Sequence, residues 1–305
     1  MRVVSLLPSA TEIVYALGVE PAGVSHECDY PPAARERPAV NRSQVDPDAA
    51  SAEIDDQVQE AVAEGGVYKI DRETLAALDP DVVISQGICD VCAVDAVRVR
   101  GAVDELGLDA EVLTTDPHSL ADVLADIERI GAALGRENRA RDLVADLEAR
   151  IDAVERQVDT VERRPRVAVL DWTDPVMVAG HWIPGMVDLA GGQYGLAERG
   201  DRSRPREWET LREYDPEVLV VSPCGFGLDQ TAKNLADLTD RGGWADLTAV
   251  REGRAYAVDG HHYVNRPGPR LVDALEFLAA LCHPDRFDAP PRDAVGPLSD
   301  LRVTT

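Results

Sequence analysis

The residues best equipped for chemistry lie in Gln86-Gly87-Ile88-Cys89-Asp90-Val91-Cys92, a Cys-x-x-Cys at the end of a hydrophobic run. Two thiols at this spacing can act as a redox pair or as half of a metal site. A zinc site needs two more ligands and the sequence has no second Cys-x-x-Cys, so Cys28 and His26 are the candidates to complete it. The remaining alternative is a pair of buried cysteines at a helix start. Five cysteines in a chain of 305 residues do not make a disulfide scaffold. His26, His181, His261 and His262 all fall in predicted loops, where a neutral imidazole can ligate a transition metal. His118 reads as a loop residue before a Ser119 helix cap, and His283 as a surface residue. No Gly-x-Ser-x-Gly elbow, P-loop or strand-borne Gly-x-Gly-x-x-Gly is present, and Gly225-Phe226-Gly227 lacks the rest of that fingerprint. The expectation is a binding protein without a cofactor of its own, not an enzyme.

A duplicated segment indicates what positions these residues. Glu73-Thr74-Leu75-Ala76-Ala77-Leu78-Asp79-Pro80-Asp81-Val82-Val83 is answered by Glu209-Thr210-Leu211-Arg212-Glu213-Tyr214-Asp215-Pro216-Glu217-Val218-Leu219, with six identities at a constant offset of 136 residues. Each copy ends a short helix at Asp-Pro and launches a buried strand. Val3 to Leu7 and Arg166 to Leu170 open the two halves as similar strands. After the first, Ser9 is expected as a helix N-cap with Glu12 completing a capping box and Gly18 ending the helix. Leu143, Leu147, Ile151, Val154 and Val158 step by three or four through a long helix, about 37 Å over residues 138–162 at 1.5 Å per residue. The predicted organisation is an N-terminal lobe (1–137), a linking helix (138–162) and a C-terminal lobe (163–305). The fold class is α/β: two Rossmann-like lobes with parallel sheets, one connecting helix and a ligand cleft between the lobes.

Composition narrows the function. Acidic residues number 56 against 31 basic, a net charge of -25, spread along the chain rather than gathered in a tail. Such a surface repels nucleic acid and anionic lipid, and fits a solvated coat in high salt. No apolar run reaches the roughly 18 residues of a membrane span. Met1-Arg2 leads straight into the first strand pattern, so the chain as written reads as cytoplasmic. A start codon assigned too late would look the same.

The opening Val4-Ser5-Leu6-Leu7-Pro8-Ser9-Ala10-Thr11-Glu12, then Cys28-Asp29-Tyr30-Pro31-Pro32, Leu78-Asp79-Pro80-Asp81-Val82-Val83-Ile84 and Arg266-Pro267-Gly268-Pro269-Arg270 resemble cobalamin-binding proteins, the helix-linked (class III) substrate-binding subunits of ABC importers. The resemblance runs in order over nearly the whole chain. It implies a monomer that holds a corrinoid and delivers it to a permease/ATPase complex. It implies ligand contacts from His26, Glu27, Tyr68, Gln86, Gly87, Trp172, Trp182, Tyr263 and Arg266. Where relatives carry aromatics this sequence has Glu27, Gln86 and Met177 or Val178, for which Tyr68, Trp172, Trp182 and Tyr263 would compensate. It also implies that Glu73 and Glu209 dock onto permease arginines; the alternative for each is a first-turn glutamate favouring the helix dipole. Related proteins bind haem, iron-siderophores or metal ions. A cytosolic corrinoid- or metal-carrying protein of the same fold is the competing reading.

Overall fold

The computed structural model describes residues 1–63, 66–87 and 94–301. The chain divides into two compact units. The first comprises Met1–Ala49, Glu53–Pro117 and Ala121–Asp146, and the second Ala50–Ala52, His118–Leu120 and everything from Leu147 onward.

The first unit contains β1 (Val3–Ser5), β2 (Gly23–Val24), β3 (Asn41–Ser43), β4 (Tyr68–Ile70), β5 (Val82–Gln86) and β6 (Glu111–Thr115). Its main sheet is parallel throughout, in the order β2-β1-β5-β6, while β3 and β4 form a separate antiparallel pair. Both β1 and β5 are buried along their whole length, which is why they read as continuous apolar runs rather than alternating ones. Helices α1 (Pro8–Ala16), α2 (Ser51–Ala63), α3 (Arg72–Leu78), α4 (Ala96–Leu106) and α5 (Leu120–Ala133) connect the strands.

The start of α1 corrects the expected cap. Leu7 is the N-cap, Pro8 occupies the first turn, and no side chain among the described residues caps the helix. The fixed φ of proline is already helical and its missing N–H costs nothing there, so the helix begins before Ser9, which is buried. Gly18 ends α1 as expected: at φ +73 it lets Val19 N–H reach the Val14 carbonyl at 3.0 Å, closing a Schellman turn.

Helix α6 (Glu137–Val158) runs unbroken for 22 residues, about 33 Å, and the division between the units falls within it. The second unit holds β7 (Val167–Trp172), β8 (Met177–Val178), β9 (Arg204–Pro205), β10 (Val218–Val221), β11 (Ala255–Val258) and β12 (Val295–Pro297). They form one sheet in the order β12-β11-β10-β7-β8-β9. Only β11, β10 and β7 run parallel; β8, β9 and β12 add antiparallel edges. Helices α7 (Ile183–Leu189) and α8 (Trp208–Tyr214) accompany this sheet, and the 12-residue helix Leu271–Cys282 is almost wholly buried.

The sequence repeat is also a repeat of geometry. Helices α3 and α8 both end on an aspartate in the left-handed region, Asp79 at φ 45 and Asp215 at φ 45. Aspartate tolerates this better than most non-glycine residues. Val82 then pairs with Val3, and Val218 with Val167. Before each register the carbonyl of an arginine, Arg2 or Arg166, accepts two backbone N–H groups, from Asp81 and Val82 or from Glu217 and Val218. Each arginine's own N–H donates to the carboxylate of that acidic residue. Among the described residues no helix is long and apolar enough to cross a membrane.

Candidate functional site

Parallel pairing brings the carboxyl ends of β2, β1, β5 and β6 to one edge of the first sheet, where ligands of open α/β sheets bind. His26 and Glu27 follow β2 there. His26 Nδ1 lies 2.9 Å from Asn41 Oδ1, which also accepts the His26 backbone N–H at 3.0 Å. Its Nε2 lies 3.2 Å from Glu27 Oε1, and its ring packs 5.5 Å from that of Tyr68. Burial pulls the His26 pKa down, but the bonds to Glu27 and Asn41 outweigh it and hold the value above the ordinary one. The structure therefore sets two of the other expected residues, Glu27 and Tyr68, against His26, together with Asn41. Sequence reasoning missed Asn41, whose signal was only a polar residue opening a short strand. Gln86 closes β5 as a buried side chain, and Gly87 donates its N–H to the Thr115 carbonyl at 2.8 Å. Cys28 is buried beside Val24 and Ala34 with its sulfur 3.1 Å from Thr11 Oγ1. Cys89 and Cys92 lie outside the described residues.

The second unit repeats the arrangement at the ends of β7, β10 and β11. Trp172 closes β7, donates Nε1–H to the Asp174 carbonyl at 3.0 Å and packs 5.0 Å from Phe226. Phe226, which the sequence offered only as part of an incomplete glycine fingerprint, sits in the turn after β10, and its carbonyl accepts the N–H groups of both Gly260 and His261 at 3.0 Å. That approach requires glycine at 260: a Cβ there would collide with the Pro223 carbonyl and lie 2.9 Å from the Ser222 carbonyl. Asp259 caps the following turn, Gly260–Val264, accepting His262 N–H at 2.8 Å through Oδ1 and contacting His262 Nδ1 at 2.7 Å through Oδ2. Arg266, 5% exposed, donates to His261 Nε2 at 2.8 Å. The Arg270 guanidinium lies 5.3 Å from the centre of the Tyr263 ring, a cation–π contact.

Trp182 is buried and donates Nε1–H to the Val264 carbonyl at 3.0 Å, tying its loop to the β11 turn. His181 packs against Trp182 and His118 with ring centroids 5.6 and 5.8 Å away. Met177 and Val178 form β8.

Glu73 and Glu209 each stand second in a seven-residue helix, exposed. Glu209 is bound to Arg212 at 2.6 Å, one turn on.

A family model described as periplasmic binding protein matches residues 3–261. An uncharacterized ABC transporter substrate-binding lipoprotein of Bacillus subtilis is 25% identical over 294 residues, covering 94% of this chain and 81% of that protein. A vitamin B12-binding protein of Vibrio parahaemolyticus is 25% identical over 281 residues, covering 90% and 86%. Among solved structures, a periplasmic heme-binding protein from Roseiflexus superposes with a TM-score of 0.69 at 24% identity, over 93% of this chain and 98% of its own. The periplasmic vitamin B12 binding protein of Vibrio cholerae does so with 0.67 at 22% identity, over 92% and 96%. These structural likenesses establish the two-lobed α/β fold.

Proposed function

The chain belongs to the periplasmic binding protein family, and from that premise we propose that it is the substrate-binding component of an ABC importer, with cobalamin or a related corrinoid as its cargo. Such a protein binds and delivers; it transforms nothing and needs no cofactor. The observation that carries the ligand class is the match, over 90% of the chain, to relatives named for vitamin B12 binding. The site chemistry agrees with it. A corrinoid is a broad apolar macrocycle fringed with amides, so it asks for flat rings and a few fixed donors. Trp172 with Phe226, and His26 with Tyr68, supply rings at the strand ends of their own units. Buried Gln86 and Arg266 supply donors.

A second reading, a haem or iron-chelate carrier, is favoured by the heme-binding proteins among the structural neighbours. On either reading the protein works as a monomer outside the cytoplasmic membrane, docks through Glu73 and Glu209 to arginines of the permease, and has no nucleic-acid partner. The acid excess then serves as a hydrated coat suited to high salt. Titration with cyanocobalamin and with dicyanocobinamide, following the corrinoid absorbance in concentrated salt, tests the cargo. Binding at or below tens of micromolar is expected, about 6 kcal/mol or better; no binding in that range overturns the corrinoid reading.

A further inference from the structure

The two halves of the duplicated segment do not present their glutamates alike. At the constant offset of 136 residues, Asp71-Arg72-Glu73 at the start of α3 answers to Glu207-Trp208-Glu209 at the start of α8, and Ala76 answers to Arg212. In α3 the neighbouring charges are spent elsewhere. Asp71 caps the helix, accepting the Thr74 N–H at 3.0 Å, and the Arg72 guanidinium is bound to Glu105. One turn on from the exposed Glu73 stand Ala76 and Ala77, which carry no charge to compete for its carboxylate.

In α8 the glutamate meets a cation that is seated in place. Glu209 Oε2 accepts from Arg212 Nη1 at 2.6 Å. The Arg212 guanidinium lies against Gly243, where any Cβ would collide with it. The residues around Gly243 are themselves anchored. The Gly242 carbonyl accepts Trp208 Nε1–H at 2.8 Å, and the Trp208 and Trp244 rings stack with centroids 6.3 Å apart. The Arg241 guanidinium lies 5.9 Å from the centre of the Trp208 ring and donates to Asp174 Oδ1 at 2.9 Å. Arg212 therefore rests on a fixed surface and gives up little further freedom in holding Glu209. A carboxylate can take a second guanidinium on its other oxygen. That guanidinium meets a charge already balanced, however, and is repelled by the first.

We propose that Arg212 competes with the permease for Glu209, so that the docking point of the second unit is held partly engaged while Glu73 is presented ready. This rests on the reading of Glu73 and Glu209 as docking residues, and it adds an internal competitor that sets how strongly one of the two is used. The partner that fits Glu209 is a surface arginine that must displace Arg212 or share the carboxylate with it. Arg212 acts through Glu209 and makes no contact of its own with the permease.

The experiment measures binding to the cognate permease–ATPase complex held in lipid nanodiscs, by surface plasmon resonance. Arg212→Gln keeps a side chain on Gly243 and removes its charge, and should tighten binding about three- to fivefold, the upper range for an exposed pair. Arg212→Lys should stay near the wild type. With Glu209→Ala in place, Arg212→Gln should change binding by less than about 1.5-fold, because its effect passes through that carboxylate. Ala76→Arg copies the arrangement into α3 and should weaken binding about twofold, as expected of an unbraced helix pair. An unchanged thermal midpoint shows that the variants fold. If Arg212→Gln leaves binding unchanged or weakens it, or if its gain survives Glu209→Ala, the competition is overturned while docking through the glutamates stands. If Glu73→Ala combined with Glu209→Ala binds as tightly as the wild type, the docking reading falls and the competition with it.

Discussion

Asp126 on α5 offers a measurable conflict between burial and charge. It is 4% exposed; Oδ1 accepts from Arg129 Nη1 at 2.6 Å, and buried Oδ2 has no hydrogen-bond partner among the described residues. Burial pushes its pKa up from 3.8 to about 6, against the pull of Arg129 and with the help of Asp122 and Asp116. Because the folded value lies above the unfolded one, the folded state binds this proton more tightly. Stability therefore falls as pH climbs from about 4 through about 6 and is level beyond. A shift of about two units at 1.36 kcal/mol each corresponds to a burden on the order of 2–3 kcal/mol at pH 8. Asp126→Asn keeps an oxygen for Arg129 and removes the charge. The Arg129 attraction that the variant gives up is already contained in that burden, because the value of about 6 is net of Arg129's pull. Guanidinium unfolding should find the variant and the wild type similar near pH 4, where Asp126 is largely protonated in the folded state, and the variant more stable by about 2–3 kcal/mol at pH 8. A variant less stable than the wild type at pH 8 would refute the reasoning, because the carboxylate–guanidinium attraction would then outweigh the burial.

Two further outcomes follow from the same structure. Glu73→Ala combined with Glu209→Ala should abolish uptake in a reconstituted importer yet leave ligand affinity within about twofold, since exposed pairs such as Glu209–Arg212 contribute under about 1 kcal/mol; a collapse of affinity would assign these glutamates to the fold or the ligand site instead. Gly260→Ala should lower the unfolding free energy by about 1–3 kcal/mol by pressing a methyl group onto the Pro223 carbonyl, read as a drop in thermal midpoint; an unchanged midpoint would mean that the turn relaxes without cost.

Much of the fold is legible because it rests on patterns of short range. Buried parallel strands announce themselves as apolar runs, so Val3–Ser5, Val82–Gln86 and Val167–Trp172 stand out in the bare amino-acid sequence. The antiparallel edges β8, β9 and β12 do not, because two- and three-residue strands carry no periodicity. The Ser9 cap failed for a local reason: a proline one residue earlier supplies the helix start more cheaply than a hydroxyl does. The candidate site was half visible. Trp172, Trp182, His26 and Tyr68 stand out by residue type. Asn41, Phe226 and Asp259 gain their roles only from partners brought close by folding: Asn41 lies 15 residues from His26, and Phe226 lies 34 residues before the Gly260 N–H it accepts.

The duplicated segment carries the longest chain of inference. From sequence it is a string of six identities. In the structure its two aspartates take the same left-handed conformation, and the strands that follow pair in the same register with β1 and β7. The identities stop short of the residues that lock that register. Arg2 and Arg166 lie 164 residues apart rather than 136, so no constant-offset comparison could align them. Each nevertheless performs the same task, its carbonyl accepting two N–H groups and its own N–H donating to an acid, Asp81 or Glu217. Because the carboxylate must accept from a backbone donor at the strand entrance, either Asp or Glu serves, and the sequence identity is lost while the function of the residue is kept. Where hydrogen bonding rather than residue type is conserved between two halves of one chain, the duplication of the fold runs deeper than the duplication of its letters.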